Sequence, residues 1–221
     1  MRYFRVSLLL LIISCSPSRH AGDIIDRPVK FDEERKELTL EYLQDRYGIA
    51  KEQPVIQPKM IVVHWTAIPT LEASFAAFDP VRLPGSRSDI QGAGALNVSA
   101  HFLVDRDGRI YRLMPEIWMA RHVIGLNHSA IGIENVGGTP VTPLTKAQLM
   151  SNLFLVSYLA TKYSIDYVIG HHEYTLFEGH PLWLEKNEAY RTTKVDPGKE
   201  FMNDLRKGFT KYNFKPLPVK N

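Results

Sequence analysis

Cysteine is almost missing from this 221-residue chain, Cys15 being the only one. A single thiol excludes any internal disulfide. Apolar runs long enough to cross a bilayer as a helix are missing too, because the run from Val6 to Ile13 is too short. Charge of one sign is scarce as well. The formal net charge is +3, and it falls to +1 if residues 1 to 14, with Arg2 and Arg5, are removed. Such a balance gives no argument for a nucleic-acid partner.

What is present reads as an exported globular protein. Hydrophobic residues make up 44% and charged residues 23%, which suits one packed core and excludes a disordered or fibrous chain. Met1-Arg2-Tyr3-Phe4-Arg5 is a basic segment, and the apolar run behind it reads as a secretory signal. Ile12-Ile13-Ser14-Cys15 resembles a bacterial lipobox, with cleavage before Cys15 and lipidation of its thiol. The plainer alternative is a chance cysteine in an ordinary signal peptide. An unpaired thiol in an exported protein is easier to explain if acylation consumes it. Ser16 then suggests an outer-membrane address on the periplasmic face, with a soluble periplasmic or secreted form as the alternative. The expected division is a signal peptide over 1–14, a lipidated tether over 15–30, one catalytic domain over 31–210 and a C-terminal tail over 211–221, loose from Lys215 to Asn221.

The spacing of apolar residues predicts the elements. Leu38, Leu40, Leu43 and Tyr47 mark a helix over Glu33 to Tyr47, and Met60-Ile61-Val62-Val63 is a buried β-branched strand that ends at His64. A short helix is expected near Leu71 to Phe78 and a long loop over Pro80 to Asn97. Ser99 to Val104, Asp105-Arg106-Asp107-Gly108 and Arg109 to Leu113 read as strand, turn and strand. Ala130 to Glu134 is another strand, Leu144 to Tyr163 a helix capped by Thr145, and Tyr167-Val168-Ile169 a strand that delivers His171. Pro197 opens a last helix, roughly Gly198 to Phe209. The alternation predicts an α/β fold, a single domain with a central mixed sheet flanked by helices.

Two histidine sites, Val62-Val63-His64-Trp65-Thr66 and Ile169-Gly170-His171-His172-Glu173, precede Arg191-Thr192-Thr193-Lys194-Val195-Asp196-Pro197-Gly198. Two imidazoles and one carboxylate can hold a zinc ion and leave its fourth position open, as hydrolytic sites do. Taken singly, each residue has a plainer explanation. His64 and His171 read as satisfied polar residues, His172 is an alternative to His171, Asp196 before proline is a common turn residue, and Lys194 is a solvated charge.

The segments HWT, SAHFLVDRDG, AIGIEN, GHHE and KVDPG together resemble the zinc-dependent N-acetylmuramoyl-L-alanine amidases of the type-2 amidase and peptidoglycan-recognition-protein group. The resemblance runs from about Met60 to Asp204. It implies one zinc ion held by His64, His171 and Asp196, Glu134 as the acidic residue acting on the attacking water, and Lys194 stabilising the oxyanion. It further implies cleavage of the bond between N-acetylmuramic acid and L-alanine, with peptidoglycan or muropeptides as partner. His101 and His122 match family histidines and Asn127 a family asparagine, which makes all three candidate substrate contacts. His101 reads equally as a satisfied core histidine, and Trp65 and Trp118 as core residues or as platforms for sugar. His172 is expected to point away from His171 by strand alternation.

The chain departs from the family pattern in one place. His171 and Asp196 are 25 residues apart, whereas shorter members place the aspartate roughly ten residues on. Tyr174 to Tyr190 is therefore read as an insertion that builds one wall of a cleft, and its His180 is an alternative third ligand. A non-catalytic peptidoglycan-binding lipoprotein is the competing function.

Overall fold

The computed structural model describes residues 22–219. Six strands form one sheet: β1 (Ile24–Asp26), β2 (Met60–Trp65), β3 (Phe102–Val104), β4 (Ile110–Arg112), β5 (Ala130–Asn135) and β6 (Tyr167–Gly170). Their order across the sheet is β1-β4-β3-β5-β2-β6. Only β3 and β4 run antiparallel, as expected for strands joined by the Asp107-Gly108 turn, and the other neighbours are parallel. Four helices accompany them: α1 (Glu33–Tyr47), α2 (Leu71–Phe78), α3 (Lys146–Lys162) and α4 (Lys199–Lys207). The mixed sheet in a single α/β domain is the fold class read from the sequence.

Strand alternation divides the core into two layers. Ile61, Val63, Ile131 and Ile133 face Leu155, Val156 and Leu159 of α3 and Met202 and Leu205 of α4. Met60, Val62, Ala130 and Ile169 face the opposite way, against Val123, Ile124 and Leu126 of the 120–127 loop. Because side chains alternate with period two, His64 and Glu134 fall on this second face, away from the two helices. The central strands are buried on both sides, which is why β2 and β5 read as continuous apolar runs.

Caps fix the helix starts. Asp32 accepts from Arg35 N at α1, and Thr145 and Gln148 form a reciprocal capping box at α3. No helix among the described residues is long and apolar enough to cross a membrane.

Two boundary expectations are corrected. The tether expected over 15–30 does not extend through its described part, because β1 pairs with β4, Val29 is buried, and Arg27 N and Val29 N donate to Arg112 O and Leu113 O. Three strand residues are too few to show periodicity in a sequence. The expected C-terminal tail is packed through much of its length. Tyr212 and Phe214 lie on the helix-side core, Leu217 on the other, and Lys215 N donates to Asp166 O. Cys15 and the expected signal peptide lie outside the described residues.

Candidate metal centre and cleft

The sheet register brings the two distant histidines together. Val63 pairs with Gly170 and His64 with Glu134, so the residue after Gly170, His171, lands beside His64. Here the chain leaves the strand in a 3-10 turn, His171–Phe177, whose start is held by Glu173 Oε2 accepting from Gly170 N at 2.8 Å. His64 Nδ1 lies 2.9 Å from His171 Nδ1, and Asp196 Oδ2 lies 3.0 Å from His171 Nδ1 and 3.3 Å from His64 Nδ1. All three side chains are buried, and among the described residues theirs is the cluster able to hold a metal ion.

Asp196 arrives from the far side of the insertion and is pinned there. His172 donates to Asp196 O twice, from its backbone N at 2.9 Å and from Nδ1 at 3.0 Å. As strand alternation leads one to expect, the His172 ring points away from His171, lying against Gly170 and Met202 on the helix side of the sheet. It sits in a 3-10 turn, and it fastens the segment that carries Asp196. Tyr174 adds a second fastening by donating its hydroxyl to Thr192 O and accepting from Thr192 N. His180 is engaged elsewhere: Leu182 N donates to its Nδ1 and its Nε2 faces Tyr167 Oη at 3.2 Å. It is not a member of the cluster.

A cavity of about 230 Å³ opens over these residues, lined among others by Trp65, Glu134, His171, Lys194 and Asp196. Glu134 is 9% exposed and its Oε2 has no hydrogen-bond partner. Burial pushes its carboxyl up to about 7, against the opposing pull of His64 and Lys194. Burial also acts to raise Asp196, but the imidazoles of His171 and His64 outweigh it and hold that carboxylate well below the usual range. His171 is pushed down to about 4, by burial first and by His64 second. A neutral imidazole and an ionised carboxylate are the forms a metal needs.

Of the three expected substrate contacts, His122 and Asn127 border the cavity and His101 lies behind it. His101 is fully buried, accepting from Gly132 N at Nδ1 and placing Nε2 2.8 Å from Trp118 O. Asn127 is equally buried, its Oδ1 accepting from His122 N and Val123 N while Nδ2 donates to Tyr47 Oη. His122 borders the cavity, but its ring nitrogens face His64 Nε2 at 3.1 Å and Ala130 O at 3.2 Å. Trp118 is half-buried and packs on Phe31 with ring centroids 4.5 Å apart at the edge of the core, whereas Trp65 lines the cavity.

A sequence model described as "N-acetylmuramoyl-L-alanine amidase" matches residues 51–199, well over half of the chain. The chain belongs to this amidase family. The endolysin of Escherichia phage T7 is 34% identical over 104 residues, covering 43% of this chain and 69% of the relative, and the endolysin of Enterobacteria phage T3 is 33% identical over the same spans. Human PGRP-IBETAC, solved in complex with a glycosamyl muramyl pentapeptide, shares the fold at a TM-score of 0.50 with 19% identity, covering 74% of this chain and 90% of that one. The amidase thus has N-acetylmuramoyl-L-alanine amidase activity on peptidoglycan.

Several further residues around the amidase site are not candidates that the sequence singles out one by one. Asn135 donates to His64 O at 2.9 Å and accepts from Asn152 of α3 at 2.7 Å, tying the strand end to the helix layer. Arg121 is buried and donates to the carbonyls of Ile90 and Gly94, closing the 80–97 loop over the cavity. Tyr42 of α1 and Tyr190 of the insertion also line the cavity, and α1 lies outside the family match.

Proposed function

We propose that this amidase is a zinc-dependent hydrolase of the amide bond between N-acetylmuramic acid and the L-alanine of the stem peptide, acting on peptidoglycan or its muropeptide fragments. The observation that carries the reading is the convergence of His64 Nδ1, His171 Nδ1 and Asp196 Oδ2 at 2.9 to 3.3 Å from one another. Donors placed tetrahedrally at zinc's usual bond lengths of about 2.0–2.2 Å stand roughly 3.3 Å apart, so the triangle fits that ion with little adjustment. Bound there, zinc would polarise the scissile carbonyl and lower the pKa of a water to about 7.

The chain's own groups supply the rest. Glu134, unpaired and buried at the cavity wall, takes the proton from the attacking water and returns it to the nitrogen of the departing L-alanine. Lys194 lines the same cavity and would meet negative charge developing on the carbonyl oxygen. The water oxygen joins the lactyl carbonyl carbon, the C–N bond breaks, and the products are a lactyl carboxylate and a peptide with a free amino terminus.

Lipidation at Cys15 and an outer-membrane location on the periplasmic face belong to the same proposal, resting on the lipobox-like Ile12-Ile13-Ser14-Cys15. The non-catalytic binding reading is disfavoured by a complete donor triangle with an unpaired carboxylate beside it. Purified protein incubated with zinc and a muropeptide should release a peptide with a free L-alanine amino terminus. A folded, zinc-loaded protein that releases none would sink the hydrolase reading in favour of binding alone.

A further inference from the structure

The buried imidazole of His122 lies between a backbone carbonyl and a member of the donor triangle. Its Nε2 is 3.2 Å from Ala130 O and its Nδ1 is 3.1 Å from His64 Nε2. A carbonyl only accepts, so the proton of a neutral His122 sits on Nε2 and its Nδ1 is a bare acceptor. The proton of His64 must then sit on its own Nε2, because otherwise two lone pairs would face each other at 3.1 Å in a buried site. This leaves His64 Nδ1 bare, and that is the atom 2.9 Å from His171 Nδ1 and 3.3 Å from Asp196 Oδ2.

We propose that His122 is a positioning residue that fixes His64 in its Nε2–H tautomer, so that the Nδ1 lone pair is presented to the metal. The inference rests on the zinc reading for its purpose and on the hydrogen-bond geometry for its content. The opposing tendency is explicit. Asp196 is an anionic acceptor close to His64 Nδ1, and without an acceptor at the far nitrogen it would draw the proton into the donor triangle. His122 supplies the acceptor that prevents this.

The surroundings are shaped to hold that ring. A Cβ at Gly132 would come within 2.8 Å of the His122 ring, so the bare glycine in β5 is what lets the imidazole lie against the sheet. Asn127 accepts from the backbone N of both His122 and Val123, at 2.9 and 2.8 Å, and donates to Tyr47 Oη at 2.9 Å. Tyr47 belongs to α1, outside residues 51–199. The N-terminal helix therefore reaches the donor triangle through Tyr47, Asn127 and His122 in turn.

The experiment compares wild type, His122→Phe and His122→Asn. Long-range ¹⁵N NMR on zinc-free protein reads the His64 tautomer, and competition with a chromophoric chelator reads the zinc Kd. In wild type His64 should carry its proton on Nε2. His122→Phe, which keeps a flat ring but no acceptor, should move the proton to Nδ1 and weaken zinc by about 10- to 100-fold, the usual cost of losing an outer-shell partner. His122→Asn, whose Oδ1 can accept in place of Nδ1, should restore the Nε2–H tautomer and most of the affinity. A role in packing alone would not move the tautomer. The inference is overturned if wild-type His64 is protonated on Nδ1, a measurement that needs no variant, or if His122→Phe binds zinc with wild-type affinity. Wild type that shows the Nε2–H tautomer yet binds no zinc would instead count against the zinc reading.

Discussion

His64 and Glu134 stand directly opposite each other on adjacent parallel strands, with their side chains on the sheet face turned away from α3 and α4. A candidate metal ligand and a candidate base are thus held by the same strand pairing. Rigid strands hold site geometry better than loops do. Only Asp196 and Lys194 come from irregular chain.

Glu134→Gln tests the base. The amide keeps the shape but cannot take a proton, so kcat should fall by about 10²- to 10⁴-fold while zinc content stays at the wild-type value. The wild-type rate should rise with pH as Glu134 ionises, and burial places that carboxyl at about 7 before any cation is bound. A bound cation favours the ionised form, so the acid limb should lie at or below that value. Zinc stoichiometry with a pH–rate profile checks both; unchanged kcat in the variant removes Glu134 from the mechanism.

Asp196→Ala tests the ligand that the insertion makes least obvious. Zinc content and activity should fall together, because the remaining two imidazoles form an incomplete set. His180→Ala should leave zinc content unchanged, since its ring nitrogens are engaged by Leu182 N and Tyr167 Oη. Metal analysis after dialysis decides between them. Zinc loss in the His180 variant, with Asp196→Ala still loaded, would reverse the assignment.

The strands, the long helices and the ligand candidates were legible because each rests on a local pattern. Met60 to Val63 shows a buried strand, and Thr145 with Gln148 shows a helix start. Side-chain traffic across loops was not legible. His101, His122 and Asn127 stand at positions where family resemblance suggests substrate contact; His122 and Asn127 do border the cavity, and all three are also hydrogen-bonded to backbone or to another site residue. A sequence shows a polar side chain but not which carbonyl it will meet. The short β1 carried no period long enough to read.

Glu185→Ala tests the insertion as a support. Its carboxylate is fully buried and pairs with Arg46 of α1 at 2.5 Å, the arginine itself being 12% exposed. Leu184 N also donates to Gly125 O, and the Trp183 ring covers Gly125, so the insertion, α1 and the His122 loop form one block. Removing the carboxylate strands a nearly buried guanidinium, which costs about 3 kcal/mol or more. Urea denaturation should show the midpoint falling with the slope unchanged. A loss under about 0.5 kcal/mol would mean that Arg46 finds water instead.

The zinc-free amidase should lose stability as pH falls from about 6.5 toward 4. Burial pushes His101, His128 and His171 down to about 4, so in this window the unfolded chain binds protons that the folded one refuses. Stability then rises with pH where the unfolded state binds more protons, by up to about 1.4 kcal/mol per pH unit for each such group. Glu134 opposes them, because its raised pKa makes the folded state the better proton binder between about 4.5 and 7. These three histidines, joined by His122, which burial also holds well below its ordinary value, outweigh the one carboxylate and leave a net loss on acidification. His101 contributes without any metal, since both ring nitrogens are committed to backbone partners that a neutral Nε2–H tautomer satisfies, while a proton on Nδ1 would face Gly132 N–H. Urea titrations in chelator at pH 7, 6 and 5 should therefore show a falling midpoint. A midpoint that stays level or rises toward pH 5 would mean that these imidazoles are solvated, contrary to their burial.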